Sequence, residues 1–543
     1  DQTTREATIT DGMGLEKMRE TFVRTEEGFA RIDWRFNTHD RFGKVIETLY
    51  ANGTRTESEW GCCGKISETD IEGITTRYSY DDLKRMTSQT NEATGVVTAY
   101  TYDAVGRRLT STQRNEGLSL TQKNRYDTAG RLTAQVDAAG LETLYASEKD
   151  RSFVTHPGGA TEITTRHLDG KTRSVTGTGV VPRFYRYGVN PDGSQWSTVF
   201  IGREDSPRWE KTTRDLVGRV IRLEKPGFEA IEITRNFYDT TGQLVRKETP
   251  GRAATLYRYD TLGHPTMSGL DVDGDGKLTP ASMDRIAISK AAFKRIDDAW
   301  WQESIRSILA HDNSEKETIV SFQRQRLTGW MDRIISESMT IDIHGNKTRS
   351  IMSLNRFKHT RTQTTYAPDS DIPLKAGYVD GRLAATTSKT GITMTYGYDA
   401  LGRRIAVEDP RKGISTIDYD QHGRLDAVQD AAGNRASFEY NPESGRRIAE
   451  INALNKATRY AYNHRGQMRR TWGDVPYPVE YAYDAFGQMM VMRTFRSGHG
   501  WDGETWPADT GQGDQTLWHY QPETGLLLAK EDAKGHRTSY TYG

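Results

Sequence analysis

The feature that most restricts this chain is a repeat. Tyr followed by Asp or Asn, with Gly three residues after the acid, recurs at Tyr102-Asp103…Gly106, Tyr126-Asp127…Gly130, Tyr238-Asp239…Gly242, Tyr259-Asp260…Gly263, Tyr398-Asp399…Gly402, Tyr419-Asp420…Gly423, Tyr462-Asn463…Gly466 and Tyr483-Asp484…Gly487. Looser copies stand at Tyr80-Asp81, Tyr440-Asn441 and Tyr520. Tyr398, Tyr419, Tyr440, Tyr462 and Tyr483 follow one another at intervals of 21 or 22 residues, so the 543 residues count repeated units rather than independent domains.

Each unit carries two turn signals. In Tyr-Asp-x-x-Gly-Arg-x-Leu the Asp can hydrogen-bond backbone two residues on, and Gly supplies the positive φ that closes a short hairpin. A second Gly stands seven residues before the next Tyr, as Gly73 before Tyr80, Gly95 before Tyr102 and Gly391 before Tyr398. Between turns the residues alternate: Thr98, Tyr100 and Tyr102 on one face, Ala99 and Thr101 on the other. A lone hairpin is marginal in water, so each must pair with the next. The expected fold is all-β: a long, spiralling antiparallel sheet of hairpins, curled because strands twist and free edges are liabilities.

Composition narrows the function. Lys plus Arg, at 74, equals Asp plus Glu, at 74, which leaves no global basic field for nucleic acid or anionic lipid. No apolar stretch reaches the length of a membrane helix, and the opening residues lack the apolar core of a secretion signal. That start reads as a mature or excised segment. Neither nucleic acid nor membrane insertion is expected of these residues.

The octads Tyr102–Leu109 and Tyr398–Ile405, with the shorter Tyr126–Leu132, resemble the YD repeat of Rhs proteins, of the C component of bacterial toxin complexes and of teneurins. The resemblance covers roughly residues 31–263 and 366–543. It implies a β-spiral shell, which in Rhs and toxin-complex proteins encloses a C-terminal toxin and in teneurins serves adhesion. Rhs shells end in an Asp-x-Gly-x-x-Gly-x-x-Asp-Pro type motif, whereas the one Asp-Pro here, Asp409-Pro410, lacks its glycines. Self-cleavage is therefore not assigned. The last residues, Tyr540 to Gly543, open a further repeat, as in a segment of a longer chain.

The organisation expected is an N-terminal lead-in (1–57), a YD spiral (58–263, weakly periodic over 146–235), an inserted module (264–365) and a second spiral (366–543). The insert contains Leu270-Asp-Val-Asp-Gly-Asp-Gly-Lys-Leu-Thr279, a calcium-type loop. Asp271, Asp273 and Asp275 would converge on one hard cation, with the Lys277 carbonyl next and Asp284 closing the shell in place of the acid missing at loop position twelve. Calcium is thus the one cofactor expected, as a structural clip. The insert, which also holds the run from Asp284 to Ile296, should contain strands of irregular length and a short helix. Trp300, Trp301 and Trp330 could stack on a glycan, but core packing is the stronger expectation.

Cys62 and Cys63 are adjacent between glycines and have no other cysteine to pair with; they suit either a vicinal disulfide or two thiols in a turn. No Gly-x-Ser-x-Gly, His-Glu-x-x-His or Walker motif is present, and His264, His422 and His464 fall in or beside turns, facing solvent. The functional expectation is a non-enzymatic shell of a large secreted or surface bacterial protein. Its partners would be an enclosed C-terminal segment or copies of itself. The alternative is an adhesin or fibre component presenting its repeats to glycans or other cells.

Overall fold

A computed structural model describes residues 4–309, 315–331, 333–474, 477–495 and 503–542. These residues form 45 strands joined in one sheet, and among them one 3-10 turn stands at Arg356–Lys358. Strands pair antiparallel with their neighbours in sequence: Thr75–Tyr80 with Met86–Asn91, that with Val97–Tyr102, and that with Arg108–Asn115. The repeat's Tyr marks an irregularity in this ladder. The register shifts at Tyr80, Tyr102, Tyr126, Tyr238, Tyr398, Tyr440, Tyr462 and Tyr483. A bulge there re-aims the ring and adds local twist, unit after unit.

Strands continue through the weakly periodic stretch because its turns keep the bonding without the Tyr. Gly159, Gly170, Gly193 and Gly218 donate their N–H groups to the carbonyls of His156, His167, Asn190 and Asp215. Residues 264–365 belong to the same ladder and differ in strand length. The one helical piece among the insert's described residues is the 3-10 turn Arg356–Lys358, and Arg285–Ile296 is a 12-residue strand paired along Ala299–Leu309. Asp297 and Asp298, at φ of 48° and 61°, make the two-residue hairpin turn between them. Non-local pairing overrides the modest helix preference of the Ala- and Lys-containing run.

The chain divides into two compact units, Asp1–Leu120 with Ala253–Thr416, and Thr121–Arg252 with Ile417–Gly543. In each, a later segment lies against an earlier one. The accessible area is 32130 Å² for 61.3 kDa, against about 20,000 Å² for a compact protein of that mass. Most strand residues are accordingly half-buried, as in a sheet one layer thick. A small apolar core forms where Leu256, Leu278, Ile286 and Leu309 meet, with Met267 and Ile288 packed on it.

Candidate functional site: interlocking turns and an acidic loop

In the turn after Tyr102, Asp103 Oδ1 accepts from the N–H groups of Val105 (3.1 Å) and Arg107 (2.9 Å), and its Oδ2 takes Arg107 Nε at 2.5 Å. Gly106 closes the loop at φ 92°. The same bonds recur where Asp127, Asp399 and Asp420 accept from the N–H groups of Arg131, Arg403 and Arg424, and Asp484 from that of Gln488. Gly130, Gly402, Gly423 and Gly487 all lie at φ of 84–85°. The carboxylate thus replaces backbone partners that a tight turn leaves unmatched.

Several turns also grip their successors. Arg85, held by its own Asp81 through Nε at 2.7 Å, reaches across to donate to the carbonyl of Asp103 (2.7 Å). Its guanidinium lies 5.0 Å over the Tyr102 ring, while the Tyr102 hydroxyl donates to the Met86 carbonyl at 2.6 Å. Arg219 covers Tyr238, Arg382 covers Tyr398, Arg424 covers Tyr440 and Arg446 covers Tyr462. Hydroxyls of Tyr398 and Tyr483 reach the carbonyls of Leu383 and Met468 in the same way. Tyr126 and Tyr419 end the strands Leu118–Tyr126 and Gly413–Tyr419. Spacing alone identifies the Tyr, Asp and Gly, but not that the Arg after Gly serves the next unit; its recurrence after Gly218, Gly423 and Gly445 is the signal.

The turns also stitch separate segments together within a unit. In the first unit, Arg356 donates to the carbonyls of Arg55 (2.6 Å) and Asp70 (2.5 Å) and to Glu57 (3.0 Å). There Asn115 Nδ2 reaches the Ala400 carbonyl at 2.8 Å, and Leu401, the third residue of its turn, is 7% exposed. In the second unit His422, expected to face solvent, is half-buried with Nδ1 3.0 Å from the Ala138 carbonyl, and Arg208 stacks 3.8 Å over Phe486. His264 and His464 are exposed. The matching third positions Phe42, Val105, Val217 and Leu262 are also exposed, with Val105 at 75%.

In the acidic loop, one carboxylate oxygen from each of Asp271, Asp273 and Asp275 lies within 4.8 Å of the others. Asp284 plays a different part. Buried, it accepts from the N–H groups of Val272 (2.9 Å) and Thr279 (3.1 Å), bracing the loop from below. Lys277 is exposed, its N–H donated to Asp275 at 2.7 Å. Cys62 and Cys63 stand as free cysteines with their Sγ atoms 2.7 Å apart. Their hydrogen bond, more than burial, pushes the Cys63 thiol up.

Trp301 is buried under Arg324 and Arg326, whereas Trp300 and Trp330 are half-buried, the latter donating to the Leu327 carbonyl at 3.1 Å. Neither spacing nor composition announces the charges packed beside them. Glu303, 1% exposed, accepts from Arg324 Nε at 2.8 Å and pairs with Lys294 at 2.8 Å. Burial works to raise its carboxyl, but Lys294 and Arg324 prevail and hold it below the usual range. Buried Glu337 is held by Arg349 at 2.6 Å. No helix among the described residues is long and apolar enough to cross a membrane.

Residues 296–498 match the family model described as Teneurin YD-shell. Over those residues the chain is similar to the YD-shell family. A search of curated proteins gives no match. Among solved structures, the YD-repeat chain is similar to a chain in the Photorhabdus luminescens Tc holotoxin pore carrying a TccC3 variant. Identity is 11%, the TM-score is 0.50, and 99% of this chain is covered against 36% of that one. A chain of the TcdB2-TccC3-Cdc42 complex follows at 11% identity and TM-score 0.48, with 99% of this chain and 37% of that one covered. The YD-repeat chain therefore spans little more than a third of these solved chains, and the likeness to the first establishes the YD-shell fold.

Proposed function

We propose that this YD-repeat chain is part of the wall of an encapsulating shell in a secreted or surface-delivered bacterial protein, and that the wall encloses a polypeptide cargo continuous with it. The observation that carries this reading is the one-layer, 45-strand sheet in a YD-shell fold. A one-layer sheet suits a wall because both faces stay accessible, and Arg–Tyr interlocks between successive units give it lateral strength without a thick core. Turn tips seated as Leu401 is, alongside exposed tips such as Val105, support a wall that further strands extend. The role is structural, with the cargo carrying any chemistry.

Limited proteolysis of the full-length natural protein tests this. The expected result is that the segment following the YD repeats resists protease in the native particle and is cut once the shell is unfolded. Cleavage at the same rate in both states, or a natural protein with no segment beyond the repeats, would overturn the reading.

A further inference from the structure

Asp271 is 5% exposed, and its Oδ2 accepts the Gly276 N–H at 3.1 Å. Its Oδ1 is buried with no hydrogen-bond partner. A buried carboxylate oxygen left unmatched is costly, and among the described residues no Lys, Arg or His forms an ion pair with Asp271, Asp273 or Asp275. Oxygens bound to one calcium ion at about 2.4 Å can stand at most about 4.8 Å apart. The three carboxylates meet that limit. Gly274 and Gly276, both at φ 77° with open space where a Cβ would stand, let the backbone fold around the centre.

We propose that this loop binds one calcium ion through Asp271, Asp273, Asp275 and the Lys277 carbonyl, and that the ion seats Leu278 in the core below. Leu278, at 1% exposure, directly follows Lys277 and is the loop's contribution to the cluster of Leu256, Ile286 and Leu309. Asp284 fixes the loop's other end through Val272 and Thr279. The ion ties the acidic turn to that frame. The site is a clip on two of the longest strands of the sheet, Arg285–Ile296 and Ala299–Leu309, rather than a reaction centre.

The test uses the full chain, with calcium alone and with terbium as a luminescent stand-in. One ion should bind per chain and calcium should displace terbium. At a calcium concentration ten times Kd, tryptic cleavage after exposed Lys277 should slow about tenfold, because bound ion suppresses local opening. Asp273→Asn combined with Asp275→Asn should abolish both effects; those side chains are exposed, so Leu278 keeps its seat. The proposal fails if terbium does not bind, if the double variant binds as the parent does, if cleavage at Lys277 ignores calcium, or if magnesium protects equally well.

Discussion

The guanidinium of Arg85 lies 5.0 Å over the ring of Tyr102 in the following unit, and the same Arg is anchored at 2.7 Å to Asp81 in its own. Two units are thereby coupled through side chains as well as through the strand ladder. This relationship recurs along the chain and makes the sheet an array of nearest-neighbour interactions.

Tyr102→Phe removes the hydroxyl bond to Met86 while keeping the ring under Arg85. Loss of one such bond should cost about 0.5–1.5 kcal/mol. Hydrogen exchange should show it in Met86–Asn91 and Val97–Tyr102, with distant strands unchanged. Arg85→Gln should weaken the same strands, and the double variant should reveal coupling of about 0.5 kcal/mol or more. Strict additivity would contradict the interlock.

Gly73 and Gly53 lie at φ of 85° and 78°, but of the two only Gly73 stands where a Cβ would overlap the Arg356 carbonyl. Replacing either by Ala should incur about 1–2 kcal/mol of backbone strain. Gly73→Ala should cost more, since it also pushes away Arg356 and its bonds to Arg55, Asp70 and Glu57. Denaturant unfolding of the two variants checks this; equal losses would mean that the Arg356 contact contributes nothing.

Glu303→Ala leaves Arg324 beside a buried gap. Because Arg324 and Lys294 keep access to solvent, the loss should be about 1–3 kcal/mol. Exchange protection in Ala299–Leu309 and Glu317–Arg326 should fall most, because both strands carry the pair. Unchanged protection would indicate that Glu303 is hydrated.

Acid should loosen the turns together. The backbone N–H groups of Arg85, Arg131 and His536 hold Asp81, Asp127 and Asp532 below the ordinary carboxylate value. Asp409 is lowered to about 2, chiefly by the Arg411 side chain. A depressed carboxyl stabilises the fold fully above its unfolded value and loses that contribution as pH falls through the folded one. Thermal midpoints should therefore hold above about pH 4 and decline from there toward about pH 2. A midpoint flat across that range would contradict turn carboxylates as stabilising groups. Asp103→Asn should blunt the decline only slightly, being one turn among many.

Strands, hairpin period and turn chemistry were legible from the residues alone, because they depend on groups within a few positions of one another: Asp103 bonds Val105 and Arg107, and Gly106 sets the turn's handedness. The grouping of Asp271, Asp273 and Asp275 was legible for the same reason. Local pattern did not assign Arg285–Ile296 to a strand, since its partner strand governs the outcome. Which turn tips are buried, that Arg356 clasps Asp70, that His422 meets Ala138, and that Glu303 sits in the interior with Arg324 emerged with the folded chain. Arg356 and Asp70 are separated by 286 residues. Contacts at that range follow from the accumulated twist and bulges of many strands, a sum that no single unit encodes.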